Sequence, residues 1–206
     1  LSAQGKIKEA LANFQKALKI RPEYADVYFH MGLILVSEGK NVEAVRFFEQ
    51  ALLIKPEYPE ADFNLAVVLL NQGNEAGAAQ HFRHALMVEP EYAEAHFNLG
   101  ALLVSQGKLR EGIAHYLVAL EFMPKDEELQ INLGNAYAMQ GSLDAAVICY
   151  RHGLELNPGN AKAHLNLAKV LELQGKKTES VEHYKRAGEL DQAEIKIELD
   201  KFPKPK

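Results

Sequence analysis

The sequence contains no tryptophan, a single cysteine (Cys149), no strongly basic segment outside its last few residues, and no long apolar run. Each absence removes a class of protein. One cysteine excludes an intramolecular disulfide framework, so a core must be held by packing alone, and it leaves the compartment open with cytoplasm as the default expectation. The longest apolar stretches, such as Leu65 to Leu70, fall far short of the ~20 residues that span a bilayer. A net charge of −5 with no Lys/Arg cluster outside the tail lacks the electrostatic footprint of a nucleic-acid binder. Glycine-rich phosphate loops, H-E-x-x-H, G-x-S-x-G and C-x-x-C are all missing, so no enzyme signature, cofactor site or metal site is expected. Cys149, on a helical stretch without a basic neighbour, is expected to be a small packed side chain.

What remains is 48% hydrophobic, rich in Ala and Leu and without β-branched runs, which favours helices and allows a sizeable core. The dominant signal is a repeat. Pro22, Pro56, Pro90, Pro124 and Pro158 stand 34 residues apart, as do Gly5, Gly39, Gly73, Gly107, Gly141 and Gly175. An aromatic recurs at Phe14, Phe48, Phe82, Tyr116, Tyr150 and Tyr184, flanked by small residues four before and three after. Each period reads as two helices. A segment after each Pro carries apolar or small residues at helical spacing, a Gly makes the turn, and a second segment places small, aromatic and small residues at i, i+4 and i+7 on one stripe. Small residues let the two backbones approach while the ring fills the space between them.

Leu133, Gly134, Tyr137, Ala146, Tyr150 and Pro158 fit the L-G-x-x-Y, A-x-x-x-F and P spacing most closely, and the chain thereby resembles the tetratricopeptide repeat (TPR) family over residues 1 to about 191. The resemblance implies an all-α, right-handed superhelical solenoid of antiparallel helix pairs. The expected organisation is an N-terminal half repeat over 1–24 and five units over 25–192 (25–58, 59–92, 93–126, 127–160 and 161–192). A capping helix with Ile195, Leu199 and Phe202 turned inward, and a frayed tail, follow over 193–206. The aromatic that opens the first helix is Tyr28 in one unit only; Asp62, His96, Gln130 and His164 replace it, which is expected to weaken local packing slightly. The chain starts part-way through a repeat and without Met, as expected of a piece of something longer. Ile7, Leu11 and Phe14 then form an apolar edge for self-association or for an upstream repeat.

The eight histidines are read as structural or surface residues. His81, His115 and His183 share one repeat position with Phe47 and Cys149, His84 and His152 share another, and units ~10 Å apart keep histidines of different repeats from sharing an ion.

Function is expected on the first-helix residues that packing does not use, which the resemblance places on the inner, concave wall. Two rows stand there. Asn64, Asn98, Asn132 and Asn166, with His30 in the leading place, form a ladder whose amides offer donor and acceptor to a peptide backbone. Phe29, Phe63, Phe97, Ile131 and Leu165 form an apolar line beside it, and Asn71, Asn135, Lys162 and Lys169 complete the candidate peptide-binding set. Repeats ~10 Å apart would meet about every third residue of a strand rising ~3.3 Å per residue. A similar ladder belongs to the TPR region of O-linked N-acetylglucosamine transferases. Asp26, Glu60, Glu94 and Glu128 precede Lys162 and Lys169, so a bound segment should be basic toward the first four units. The Lys/Arg set with which TPR proteins clamp chaperone carboxylates is absent from those units. The expectation is a non-catalytic scaffold binding an extended protein segment. The alternatives are a self-assembling module and the substrate-presenting region of a larger enzyme such as a glycosyltransferase.

Overall fold

The structure is a computed structural model describing residues 2–200, with side chains described for residue 7 and residues 9–191. Those residues form eleven helices and no strand. In order they are α1 (Ser2–Ile20), α2 (Ala25–Ser37), α3 (Asn41–Ile54), α4 (Pro59–Asn71), α5 (Glu75–Val88), α6 (Ala93–Ser105), α7 (Leu109–Phe122), α8 (Glu127–Gln140), α9 (Leu143–Leu156), α10 (Ala161–Leu173) and α11 (Lys177–Asp200). The chain divides into two compact units, residues 1–99 and 100–206, with the division inside α6.

Two kinds of glycine build the pairs. Gly39, Gly73, Gly107, Gly141 and Gly175 follow the first helices with φ between +74° and +84°. A side chain there would meet nothing within 4 Å, so it is the left-handed backbone and not crowding that selects Gly. The next residue closes the turn: Lys40 N–H donates to the Leu35 carbonyl at 2.8 Å, and Ser142 to Tyr137 at 2.9 Å, the Schellman arrangement that satisfies end-of-helix carbonyls. Gly32, Gly100 and Gly134 are the opposite case. A Cβ on Gly32 would lie 2.6 Å from the Phe48 ring, on Gly100 2.9 Å from Tyr116, and on Gly134 2.8 Å from Tyr150. The ring of each second helix therefore sits directly on the backbone of its first helix.

Within the first unit this contact anchors a core of Ala44, Phe48, Ala51, Ala61 and Leu65. In the second, Ala146, Tyr150, Ala163, Leu167 and Leu171 do the same. In the last pair Ser180 is buried, and its hydroxyl donates to the Ala168 carbonyl at 3.0 Å. Cys149 is buried, and burial pushes its thiol up to about 11, leaving it protonated and unreactive at neutral pH.

The residues that open the first helices find partners on the second helices. Tyr28 packs against Phe47 with ring centroids 6.1 Å apart. Asp62, only 1% exposed, receives hydrogen bonds from His81 Nδ1 (2.8 Å) and His84 Nδ1 (2.5 Å). His164 meets His183, Nδ1 to Nδ1, at 2.9 Å. At Asp62 and His164 the residue nineteen positions later changes with the lost aromatic and supplies a hydrogen-bonding partner.

At the C-terminal end, α11 runs unbroken to Asp200, so no separate capping helix starts at 193. Residues 189–200 contain no Gly or Pro, so nothing in the sequence there breaks the helix. The expected inward turn of Ile195, Leu199 and Phe202, and the frayed tail, lie outside the described side chains.

Within helices, crowding at the added Cβ decides the sign of a glycine substitution. Gly134→Ala forces the Tyr150 ring away and should destabilise by about 1–3 kcal/mol. Gly188→Ala, in α11 with nothing within 4 Å of the added Cβ, should stabilise by about 0.5–1 kcal/mol. Urea unfolding followed by circular dichroism reads both shifts.

Candidate functional site

Each first helix turns one side to its second helix and leaves the other open. The tyrosines at the helix starts shape the open side in the first unit. Tyr24 and Tyr58 occupy the N-cap positions of α2 and α4 without a capping side-chain hydrogen bond. Their rings do other work: Tyr58 lies 5.0 Å from Phe29, and Tyr92, at the same repeat position, 5.1 Å from Phe63. In the second unit Asp126 and Asn160 hold this position and cap their helices, accepting from Leu129 N and Ala163 N at 2.8 Å. The 34-residue recurrence of Tyr24, Tyr58 and Tyr92 is plain in the sequence, and it is the signal that would have revealed these site residues.

One candidate contact is thereby removed. Phe29 is 8% exposed, covered by Phe48 (5.9 Å) and Tyr58, so it is a core residue and not a ligand contact. Phe63, Phe97 and Ile131 are half-buried, and Leu165 is 36% exposed. His30 is exposed and stacks on Phe14 with centroids 6.2 Å apart; Ile7, Leu11 and Phe14 are themselves half-buried.

The asparagines are more differentiated than a uniform ladder. Asn64 Nδ2 donates to the Glu60 carbonyl (2.7 Å) and Asn98 Nδ2 to the Glu94 carbonyl (2.8 Å), one turn back on their own helices. One N–H of each amide is used in this way, so these two offer a single donor where the ladder expectation gave the whole amide. Their acceptor oxygens remain. In the second unit Asn166 Nδ2 donates to Asn135 Oδ1 (3.0 Å), which also accepts from the Tyr150 hydroxyl (2.7 Å). Asn132 is the one ladder residue with both amide groups uncommitted. It lines a cavity of about 470 Å³ with Glu128, Ile131, Asn135, Lys162 and Asn166. Met139, Lys169 and Leu173 line another of about 500 Å³. Asn71 is exposed.

Charge differs between the two units. In the first, Asp26, Glu60 and Glu94 are exposed on the open side. Arg21 lies over the Tyr24 ring at 5.0 Å and Lys55 over Tyr58 at 4.0 Å. The third repeat has Glu89 where those cations stand. Burial, then Glu94, Glu60 and Glu89, push the Tyr92 hydroxyl up to about 12. Burial and the neighbouring Asp26 likewise raise Tyr58. In the second unit Lys162 and Lys169 are exposed and make no ion pair, while Glu127 accepts from Asn157 (2.9 Å) and Asn160 (2.5 Å).

Among the described residues, no group of three or more His, Cys, Asp and Glu side chains is arranged to hold a metal ion. No helix there is long and apolar enough to cross a membrane.

Family profiles described as TPR repeat match residues 1–37, 101–141 and 134–175, and those described as tetratricopeptide repeat match 35–80 and 161–194. The chain belongs to the tetratricopeptide repeat family. Solved structures share the TPR fold. YrrB, described as a TPR protein with an unusual peptide-binding site, is 22% identical with a TM-score of 0.81, covering 92% of this chain and 98% of its own. MamA from Desulfovibrio magneticus RS-1 is 21% identical with a TM-score of 0.77, covering 82% and 96%. The pilF protein of Pseudomonas aeruginosa is 24% identical with a TM-score of 0.70, covering 82% and 77%. No curated protein matches the chain. TPR proteins are generally non-catalytic interaction scaffolds, and the TPR fold supports a protein–protein interaction role for this chain, with proteins or peptides as its partners.

The histidine pair of the last TPR unit sets a pH dependence. His164 Nε2–H donates to the Pro158 carbonyl (3.1 Å), which can only accept, so His164 Nδ1 is an acceptor and His183 Nδ1–H the donor. Burial, then His164 and Arg151, lower the His183 pKa below its usual 6.5 against the opposing pull of Glu179 and Glu182. The folded state therefore resists a proton that the unfolded chain accepts, and stability present above pH 6.5 is lost as the pH falls below it. Thermal unfolding of wild type and His183→Asn between pH 8 and 5 should show a loss at low pH that is smaller in the variant.

Proposed function

We propose that the open first-helix faces bind an extended, unstructured segment of a partner protein, and that the chain acts as a scaffold without catalysis. The observation that carries this reading is the set of amide groups left open once packing is satisfied: both groups of Asn132 and the acceptor oxygens of Asn64, Asn98 and Asn166. An acceptor recurring once per repeat suits the N–H groups of a strand whatever its side chains, and a segment that orders on binding gives reversible association.

Charge refines the partner in each unit. On the first, Asp26, Glu60 and Glu94 favour Lys and Arg. The Tyr92 ring, which lacks the self-supplied cation of Tyr24 and Tyr58 and has Glu89 in its place, is the favoured position for one of them. On the second unit, Lys162 beside the Asn132 cavity suits a carboxylate of the bound segment.

Selection of a displayed library of unstructured peptides against the full chain supplies the ligand, and calorimetry measures it. For a peptide bound on the second unit, Asn132→Ala should weaken affinity by about 1–3 kcal/mol by leaving peptide groups unpaired, and Lys162→Glu should weaken acidic peptides more than neutral ones. Helicity should not change. Affinity untouched by both substitutions would contradict the reading.

A further inference from the structure

A cavity bounded by α3, α4 and α5 lies outside the residues assigned above to peptide binding. It is an open pocket of about 500 Å³, and Leu52, Asp62, His81, Arg83, His84 and Met87 are on its wall. A buried carboxylate needs compensation, and one imidazole nineteen residues on would continue the pairing seen at Tyr28–Phe47 and His164–His183. Here there are two. Each oxygen of Asp62 is taken by a different ring, and neither ring has another hydrogen-bond partner.

We propose that His81, His84 and Met87 bind one copper(I) ion at this cavity, through both Nε2 atoms and the thioether sulfur, with Asp62 as the positioning residue. A carboxylate brings no proton, so each imidazole supplies one from Nδ1. In the neutral ring that leaves the Nε2 lone pair available. A histidine that ligates metal ordinarily donates its other ring N–H in this way, which fixes the ring and raises its basicity. His81 and His84 are three residues apart on α5, with Cβ atoms at about 5–6 Å, and the flexible Met87 follows three residues later. Asp62 is not a ligand, since both its oxygens are occupied, which accords with the absence of a His/Cys/Asp/Glu cluster fit for metal. The donor set selects the ion. Two imidazoles with a thioether suit soft copper(I) better than zinc, and Arg83 on the same wall repels a divalent ion more than a monovalent one.

The full chain is titrated anaerobically with copper(I) against a chromophoric copper(I) chelator, and separately with zinc. The expected result is one copper(I) per chain, bound at least tenfold more weakly by His81→Asn/His84→Asn and by Met87→Leu, with X-ray absorption showing two nitrogens and one sulfur. Zinc binding should be weaker and indifferent to Met87→Leu. Asp62→Asn should lower copper affinity about 10–100-fold while keeping the same absorption signature, as a positioning residue would. His84 is half-buried and Met87 is 74% exposed, so single His84→Asn and Met87→Leu chains, checked for wild-type helicity, carry the test if the double variant misfolds. Copper binding undiminished in those variants, or a signature without sulfur, overturns the proposal.

Discussion

The contact on which the rest of the structure depends is an aromatic ring laid on a neighbouring helix backbone. Phe48 on Gly32, Tyr116 on Gly100 and Tyr150 on Gly134 set the separation of the two helices in three repeats, with Ala66 and Ala168 in the same place elsewhere. That separation fixes which side of each first helix is used up. Thin repeats have no deep interior, and each needs its neighbour to bury its apolar stripe. A ring on glycine brings the two backbones close with few side chains. Much of the opposite face is thereby left to residues that the core does not use, Phe29 excepted.

A second place in the repeat shows how tolerant this plan is. The residue that opens a first helix and the one nineteen later form a pair, filled as Tyr28–Phe47, Asp62–His81 and His164–His183. One is apolar, one pairs a carboxylate with imidazole, and one is a neutral histidine pair held in a fixed tautomeric order by the Pro158 carbonyl. All three close the same gap, but only the polar ones present further ring nitrogens. Chemical variety enters this fold where the packing rule specifies a shape and not a residue.

Much of the fold was legible in the sequence because its causes are local and periodic. Glycines every 34 residues mark positive-φ turns, prolines mark the ends of second helices, and the small–aromatic–small stripe marks the contact. The pairings were not read, although His81 and His183 stand in register with each other, because the connection runs between two helix faces and not along one. Phe29 was taken for a groove residue since its own spacing points outward; the tyrosine that starts the next repeat covers it. The ladder was read as identical asparagines, whereas Asn64 and Asn98 turn their donors back on their own carbonyls, a choice that depends on side-chain rotamers. The C-terminal end was misjudged where failure of the repeat register was taken as failure of the helix.

The central claim is that stability and binding reside on opposite sides of the first helices. A saturation mutagenesis library of the full chain, sorted once for cellular abundance and once for capture of a selected peptide ligand, tests it directly. The account predicts that substitutions at Gly32, Phe48, Gly134 and Tyr150 lower abundance, and that substitutions which lower capture alone cluster at Asn64, Asn98, Asn132, Asn166 and their charged neighbours. Capture-specific positions concentrated on α3, α5, α7 and α9 would contradict it.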